Sequence, residues 1–454
     1  MKNTSIASRA RASTGALRQI GAFATEGRVA AVAGLAVEVD GFAGLLAVGD
    51  RLELTGRDAR SVRAEVVGFH AGLARAMPFA SLDGIGPGHC VRLAERQGGL
   101  FAVSNAWLGR VIDPLGRPAD GKGALPAGQH PRPLRASPPD ATTRARLGPR
   151  IDLGVRAMDC FTTCRQGQRL GLFAGSGIGK STLLAMLARG AGCDVAVLAL
   201  VGERGREVRE FLEDELGPEG LARSVVVVAT SDASPLLRRQ AAEAAMTVAE
   251  HFRDRGKSVL LLMDSLTRYC LALREIGLAA GEPPATRGYP PSVFAELPRL
   301  LERAGPGKMD TPGGTGFITA LFTVLVEGDD NNEPVSDAVR GILDGHVILD
   351  RRIAEAGRYP PVDVLRSLSR AAAGCLSPEE AALVRRARGI IAVHADIADL
   401  VRLGAYRPGT DAAADEALAL MPRIEAVLRQ DRSQWTALSD AFSLLKAAME
   451  PSHV

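Results

Sequence analysis

Residues 168–190 read QRLGLFAGSGIGKSTLLAMLARG: an apolar run, a turn carrying three glycines, and a run with helical character. Gly175, Gly177 and Gly179 let the backbone curl until successive N–H groups point inward, and the helix that follows adds the positive end of its dipole. That combination is a cradle for phosphate. Lys180 neutralises charge on β- and γ-phosphates, and Ser181 puts a hydroxyl where Mg²⁺ needs an oxygen ligand. Ala174 stands where this motif more often has glycine, a departure that costs little because the turn rests on the later glycines. With a strand before the loop and a helix after it, Gly175, Ser176, Gly177, Ile178, Gly179, Lys180, Ser181 and Thr182 are read as nucleotide-binding residues.

Outward from this loop, β-type runs alternate with helical patterns: DVAVLAL (194–200), SVVVVA (224–229), SVLLLMD (258–264) and GFITALFTVLV (316–326). Several are apolar throughout, as strands buried on both faces of a mainly parallel sheet should be. The fold class is therefore α/β. A phosphate cradle needs a carboxylate for the metal at the end of a neighbouring strand, and SVLLLMD supplies Asp264; the alternative is that Asp264 only caps the helix after it. Hydrolysis also needs a base near the γ-phosphate. Glu203, ending the DVAVLAL strand in VGERGREVREF, is the candidate at the carboxyl edge of the sheet, while a first-turn Glu stabilised by the helix dipole is the competing reading, which Glu207 fits equally.

Four segments are expected. Residues 1–25 hold Lys2, Arg9, Arg11 and Arg18 and no acid, too little apolar material to fold alone, and read as a mobile arm with a faint amphipathic pattern at Ile6, Ala10, Leu17 and Ile20. Residues 26–95 show short runs (RVAAV, LAVEV, RLELT, SVRAEVVGF) between Gly and Asp punctuation, the spacing of a small β-barrel. Residues 96–374 form the nucleotide domain, entered through a Pro- and Arg-rich connection near 124–150. Residues 375–454 turn helical: Ser377, Pro378 and Glu380 read as an N-cap, a first-turn proline and a capping box, and Trp435, Leu438, Phe442 and Leu445 read as a core stripe.

The totals narrow the partners. In 454 residues, 55 basic side chains face 52 acidic ones, and the barrel's arginines are interleaved with Glu38, Glu53, Asp58 and Glu65. With Phe42, Phe69 and Phe79 as its few aromatics, the barrel lacks a stacking platform, so nucleic acid is not an expected partner. No apolar stretch reaches 18 residues and no secretion signal opens the chain, which points to the cytoplasm. There the six scattered cysteines stay reduced, and the Cys160 and Cys164 pair lacks the partners of a zinc site.

Long motifs then carry a family resemblance. AGSGIGKST (174–182), GERGREVREFLEDELG (202–217), the run from LLLMDSLTRYC to LERAG (260–305), VLVEGDDNNEPVSDAVRGILDGHVILDR (324–351) and LGRVIDPLGRPADGKG (108–123) resemble the flagellar protein export ATPase and its relative in type III secretion injectisomes, over about residues 27–450. Both are similar to the catalytic subunit of rotary ATP synthases. The resemblance implies a P-loop (RecA-like) sheet domain flanked by the N-terminal β-barrel and a C-terminal helical domain, and ATP and Mg²⁺ as ligands. It implies Lys180 and Ser181 at phosphate and metal, Glu203 as the catalytic carboxylate with Arg204 nearby, and Asp264 at the metal. From RYPPVDVLRSLSR (358–370) it implies Tyr359 as the aromatic on adenine and Arg370 as the arginine reaching into a neighbouring subunit's site.

The partners implied are a homohexameric ring, a stator-like regulatory protein at the N-terminal arm, a central stalk protein, a membrane export gate, and export substrates with their chaperones, at the inner face of the cytoplasmic membrane. Three rivals stand: the injectisome enzyme, which has the same chemistry; a non-catalytic nucleotide-binding ring subunit, against which Glu203 argues; and a ring RNA translocase, against which the acid-balanced barrel argues.

Overall fold

The structure is a computed structural model and describes residues 25–42, 44–96, 99–309, 313–326 and 333–450. The basic arm, and with it the expected docking site for a regulatory protein, lies outside the described residues apart from Thr25.

Six antiparallel strands, Glu26–Ala33, Ala36–Asp40, Arg51–Thr55, Ser61–His70, Leu73–Pro78 and Cys90–Glu95, close into a barrel in the order first, second, fifth, fourth, third, sixth. Alternation does the work: Leu52, Leu54, Val62, Ala64 and Val66 point inward while Arg63 and Glu53 point out, so one face of each strand fills the lumen. The fifth and sixth strands, LARAMP and CVRLAE, are not among the runs read from the sequence. Their arginines break the apolar pattern but are matched across the ladder, as Arg75 is by Glu38 at 3.2 Å. Closure leaves no strand edge unpaired.

The barrel residues through Gly99, with Ile276–Glu282, make one compact unit, and the remaining described residues make the other. This second unit is built on a nine-stranded sheet. Its path runs Leu368–Ser369, Gly345–Ile348, Arg169–Ala174, Phe317–Leu325, Ser258–Asp264, Val195–Glu203, Ser224–Thr230 and Arg110–Ile112, with Gly305–Pro306 paired to Phe317–Leu325. The pairs are parallel except those made by Leu368–Ser369 and Gly305–Pro306. Alternate residues of each central strand feed two cores. Leu170, Leu172, Leu198, Leu200, Leu260 and Leu262 face one side, where the helix Lys180–Gly190 packs. Phe173, Val197, Ala199, Val259, Leu261 and Phe322 face the other, where Pro235–Arg253 and Pro291–Leu301 pack. Burial on both faces explains the unbroken apolar runs of the sequence.

Helices Pro378–Arg402, Ala412–Leu428 and Leu438–Met449 follow. Ser377 Oγ accepts from Glu380 N at 3.1 Å and Glu380 Oε2 accepts from Ser377 N at 2.8 Å, so a capping box does start the first of them. Val384, Ile391, Ile424 and Leu445 belong to the same core as the P-loop face of the sheet, so the helical segment and the sheet share one core. One expectation is corrected. Leu438, Phe442 and Leu445 are buried, but Trp435 precedes the last helix and is 54% exposed, the Cδ1–Nε1 edge of its indole lying close to Gly154 and Gly190, where no Cβ obstructs it. Among the described residues, no helix is long and apolar enough to cross a membrane.

Candidate nucleotide site

The loop after Arg169–Ala174 turns through Gly177 at φ 75° and Gly179 at φ 87°, a left-handed backbone that a side chain adopts only under strain, and the helix starts at Lys180. Ile178 points back into the core at 2% exposure and anchors the loop from beneath, whereas Ser176 and Ser181 face outward. Arg351, which the sequence reading did not single out, donates from Nη2 to Ser176 O at 3.0 Å and ties the loop's outer wall.

Three strand ends converge on Lys180. Its Nζ donates to Asp264 Oδ1 and lies 3.7 Å from Glu203 Oε1. Thr323 Oγ1, on the strand between the P-loop strand and Asp264's strand, donates to Asp264 Oδ1 at 2.7 Å and fixes the carboxylate's direction. Asp264 is thereby a buried side chain held beneath Lys180 by an ammonium and a hydroxyl.

Glu203 is aimed by a local irregularity. The ladder between Val195–Glu203 and Ser224–Thr230 shifts register between Val201 and Glu203, and Gly202 there has φ 71°. A Cβ at Gly202 would come within 2.8 Å of Arg268 Cδ, so the glycine also makes room for Arg268. Arg268 Nε then stands 3.5 Å from Glu203 Oε1, an oxygen that is buried and has no hydrogen-bond partner among the described residues. Burial, with the negative charge of Asp264 behind it, pushes the Glu203 carboxyl above its ordinary range, and Lys180 and Arg268 pull the other way. Arg268 is a site residue that sequence reading missed, since only the bulge and the tertiary fold bring it to Glu203.

Lys180, Glu203 and Arg268 line a cavity of about 760 Å³ together with Gly175, Ser181, Thr182, Arg204, Glu207, Glu215 and Arg351, while Asp264 lies buried behind Lys180. Arg204 stands at its rim with its side chain 76% exposed, paired to Glu207 Oε1 at 2.9 Å. A second cavity of about 300 Å³ adjoins it, sharing Gly179 and Thr182, and is walled by Leu183, Met186, Tyr359, Pro360, Gln430, Asp431 and Arg432. The Tyr359 ring is half exposed and reaches the P-loop, within 3.4 Å of where a Gly179 Cβ would stand. Tyr359 O accepts from Gln430 N at 2.8 Å, which fixes the tyrosine's segment to the loop between the last two helices. A flat aromatic face in a cavity that also has Leu183 and Met186 and that adjoins the phosphate loop is suited to a nucleobase.

Arg370 is not brought into either cavity. It follows the edge strand Leu368–Ser369, is exposed, and its side chain has no hydrogen bond or ion pair among the described residues, while its N–H donates to Asp344 O at 3.0 Å.

The comparisons with known proteins agree with this architecture. Residues 29–93 match the β-barrel domain and 154–369 the nucleotide-binding domain of the ATP synthase alpha/beta family, and 376–447 match the T3SS EscN ATPase C-terminal domain. A flagellum-specific ATP synthase of Caulobacter vibrioides is 52% identical, covering 96% of this chain and 99% of its own. A type 3 secretion system ATPase of Xanthomonas euvesicatoria is 47% identical over 93% of this chain and 94% of its own. The assembled ATPase EscN of enteropathogenic E. coli, solved with its central stalk EscO, superposes with a TM-score of 0.84 at 38% identity, covering 93% of this chain and all of its own.

Proposed function

The chain belongs to the ATP synthase alpha/beta family, in its branch of flagellum-specific and type III secretion ATPases, and from that premise we propose that it hydrolyses MgATP to drive export of flagellar proteins through a type III apparatus. The observation that carries the chemistry is the convergence of Lys180, Asp264 and Glu203 at the mouth of the phosphate loop. Lys180 receives the β- and γ-phosphates in exchange for its contacts with the two carboxylates. Glu203, which lines the cavity, accepts a proton from the attacking water, and a carboxyl already displaced toward neutrality is a better base for that step than an ordinary one. Arg268 holds Glu203 in place and Arg204 guards the rim. Tyr359 carries the adenine.

The Ser181 hydroxyl and Asp264 carboxylate are hard oxygen donors, and Asp264 already meets a cation, the Lys180 ammonium, so the chemistry of this donor set fits Mg²⁺. When bound, the metal neutralises charge developing on the phosphate oxygens.

The finer reading follows the relatives. The EscN structure is of an assembled form with a central stalk, which supports a homohexameric ring around a stalk protein for this chain, with Arg370 completing the neighbouring subunit's site. A regulatory protein at the arm, the export gate, substrates and chaperones, and a peripheral place at the inner membrane face complete the proposal. The greater identity to the flagellum-specific relative than to the type 3 secretion one favours the flagellar over the injectisome reading. The test is a pair of variants assayed for ATP binding and phosphate release. Lys180→Ala loses turnover by about 10²-fold or more, since it removes a cation from the developing charge. Glu203→Gln keeps nucleotide affinity and loses turnover by roughly the same order. Turnover near wild type in both would refute the assignment.

A further inference from the structure

Arg351 bonds a carbonyl although carboxylates line the same cavity. It opens the short helix Arg351–Glu355, on a wall shared by the nucleotide cavity and a neighbouring one of about 440 Å³ that Asp350 and Glu355 also line. Among the described residues its guanidinium makes one hydrogen bond, from Nη2 to Ser176 O at 3.0 Å, while Asp350 Oδ2 faces Arg366 Nη1 at 3.4 Å. The arginine is held from a rigid place. Gly345–Ile348 pairs with the P-loop strand Arg169–Ala174, and Leu349 N donates to Phe173 O at 2.8 Å. The chain beyond is closed at its neck, where Asp350 N donates to Pro361 O at 2.9 Å and Asp363 N to Ile348 O at 2.8 Å. Arg351 and Ser176 therefore project from the same pair of bonded strands.

Ser176 O shares its peptide with the Gly177 N–H. In a planar trans peptide the carbonyl and the N–H point in opposite directions, so a guanidinium that holds the Ser176 oxygen also turns the Gly177 N–H to the other side. With glycine at φ 75° after it, this peptide can rotate at little steric cost, and no side chain of Gly177 opposes the rotation. We infer that Arg351 is a positioning residue that locks the Ser176–Gly177 peptide, keeping the Gly177 N–H turned toward phosphate before the nucleotide arrives; this rests on the nucleotide reading above. Its effect is preorganisation: the loop loses less freedom on binding because one of its peptides is already fixed.

Calorimetric binding of ADP and of pyrophosphate to the full chain, with steady-state ATP hydrolysis beside it, tests this. Arg351→Ala binds ADP about three- to tenfold more weakly, the range of one hydrogen bond net of water. Pyrophosphate, which fills the cradle without reaching Tyr359, loses by the same factor. KM for ATP rises by the same order while kcat stays within about twofold of wild type, because the lock serves ground and transition states alike. The ratio between wild type and variant persists from about 0.05 to 0.5 M salt, which screens a charge acting at a distance but leaves a locked peptide unchanged. Arg351→Lys, which keeps a donor, recovers part of the loss. Unchanged affinity in Arg351→Ala overturns the inference, as does a loss for ADP that spares pyrophosphate, which would place the effect at the base. A loss that fades with salt overturns it too, since Arg351 would then only attract phosphate. Failure of the wild type to bind ADP at all would overturn the nucleotide reading itself, and this inference with it.

Discussion

At Glu203 two fields oppose each other. Burial and the Asp264 charge raise its proton affinity, and Lys180 and Arg268 lower it. Arg268→Ala removes one of the lowering charges, so the proton is held more tightly and the base form appears only at higher pH. If the base form is the active one, as proposed, the acid limb of the turnover–pH profile should move upward, with turnover recovering toward wild type as pH rises; a limb that stays in place would detach Arg268 from Glu203. The same residues show what a sequence yields. Gly175, Gly177 and Gly179 are legible because the turn they permit is local. Asp264 and Glu203 are legible as acids at the ends of apolar strands. Arg268 is not, because its role depends on a bulge at Gly202 and on a strand and helix meeting in space. Tyr359 and Arg370 stand out through family resemblance, and spacing alone does not distinguish them from surface residues.

Among the elements, the central strands were legible because burial on both faces leaves apolar runs, whereas LARAMP and CVRLAE were hidden by charges that are matched only across the barrel ladder. The helix Pro235–Arg253 hides a stronger case. Its Glu250 accepts from Arg303 Nε at 2.9 Å and from Nη2 at 2.8 Å, and both side chains are almost wholly buried. Arg303 also donates to Leu134 O at 2.7 Å and Thr247 Oγ1 at 3.0 Å, so one guanidinium fastens a helix to the end of another and to the connection before it. Arg303→Met leaves the Glu250 charge buried and unpaired, and should cost about 3–5 kcal/mol in denaturant melts. Adding Glu250→Leu should recover a large part of that loss, because a buried pair replaced by apolar groups is far less costly than one broken in half. A single variant as stable as wild type would show that solvent reaches Glu250.

For the whole molecule, the arrangement of sites argues for assembly. In the proposed reading one chain holds a cradle, a base and a nucleobase wall, yet Arg370 sits at the sheet edge, outside its own cavity, with no side-chain hydrogen bond or ion pair among the described residues. An exposed arginine without a partner is ordinary by itself; in this family it acquires a use if a neighbouring copy brings its phosphates there, and then activity per chain rises with protein concentration. The most direct measurement is ATP hydrolysis by rings assembled from two inactive chains. A Lys180→Ala chain lacks a working cradle but still offers Arg370, and an Arg370→Ala chain keeps the cradle and lacks the finger, turning over about 10³-fold more slowly than wild type. Mixed, they should regain part of the wild-type activity at interfaces where an intact cradle meets an intact Arg370. Mixed rings that form by size analysis and regain nothing would contradict a site shared between subunits.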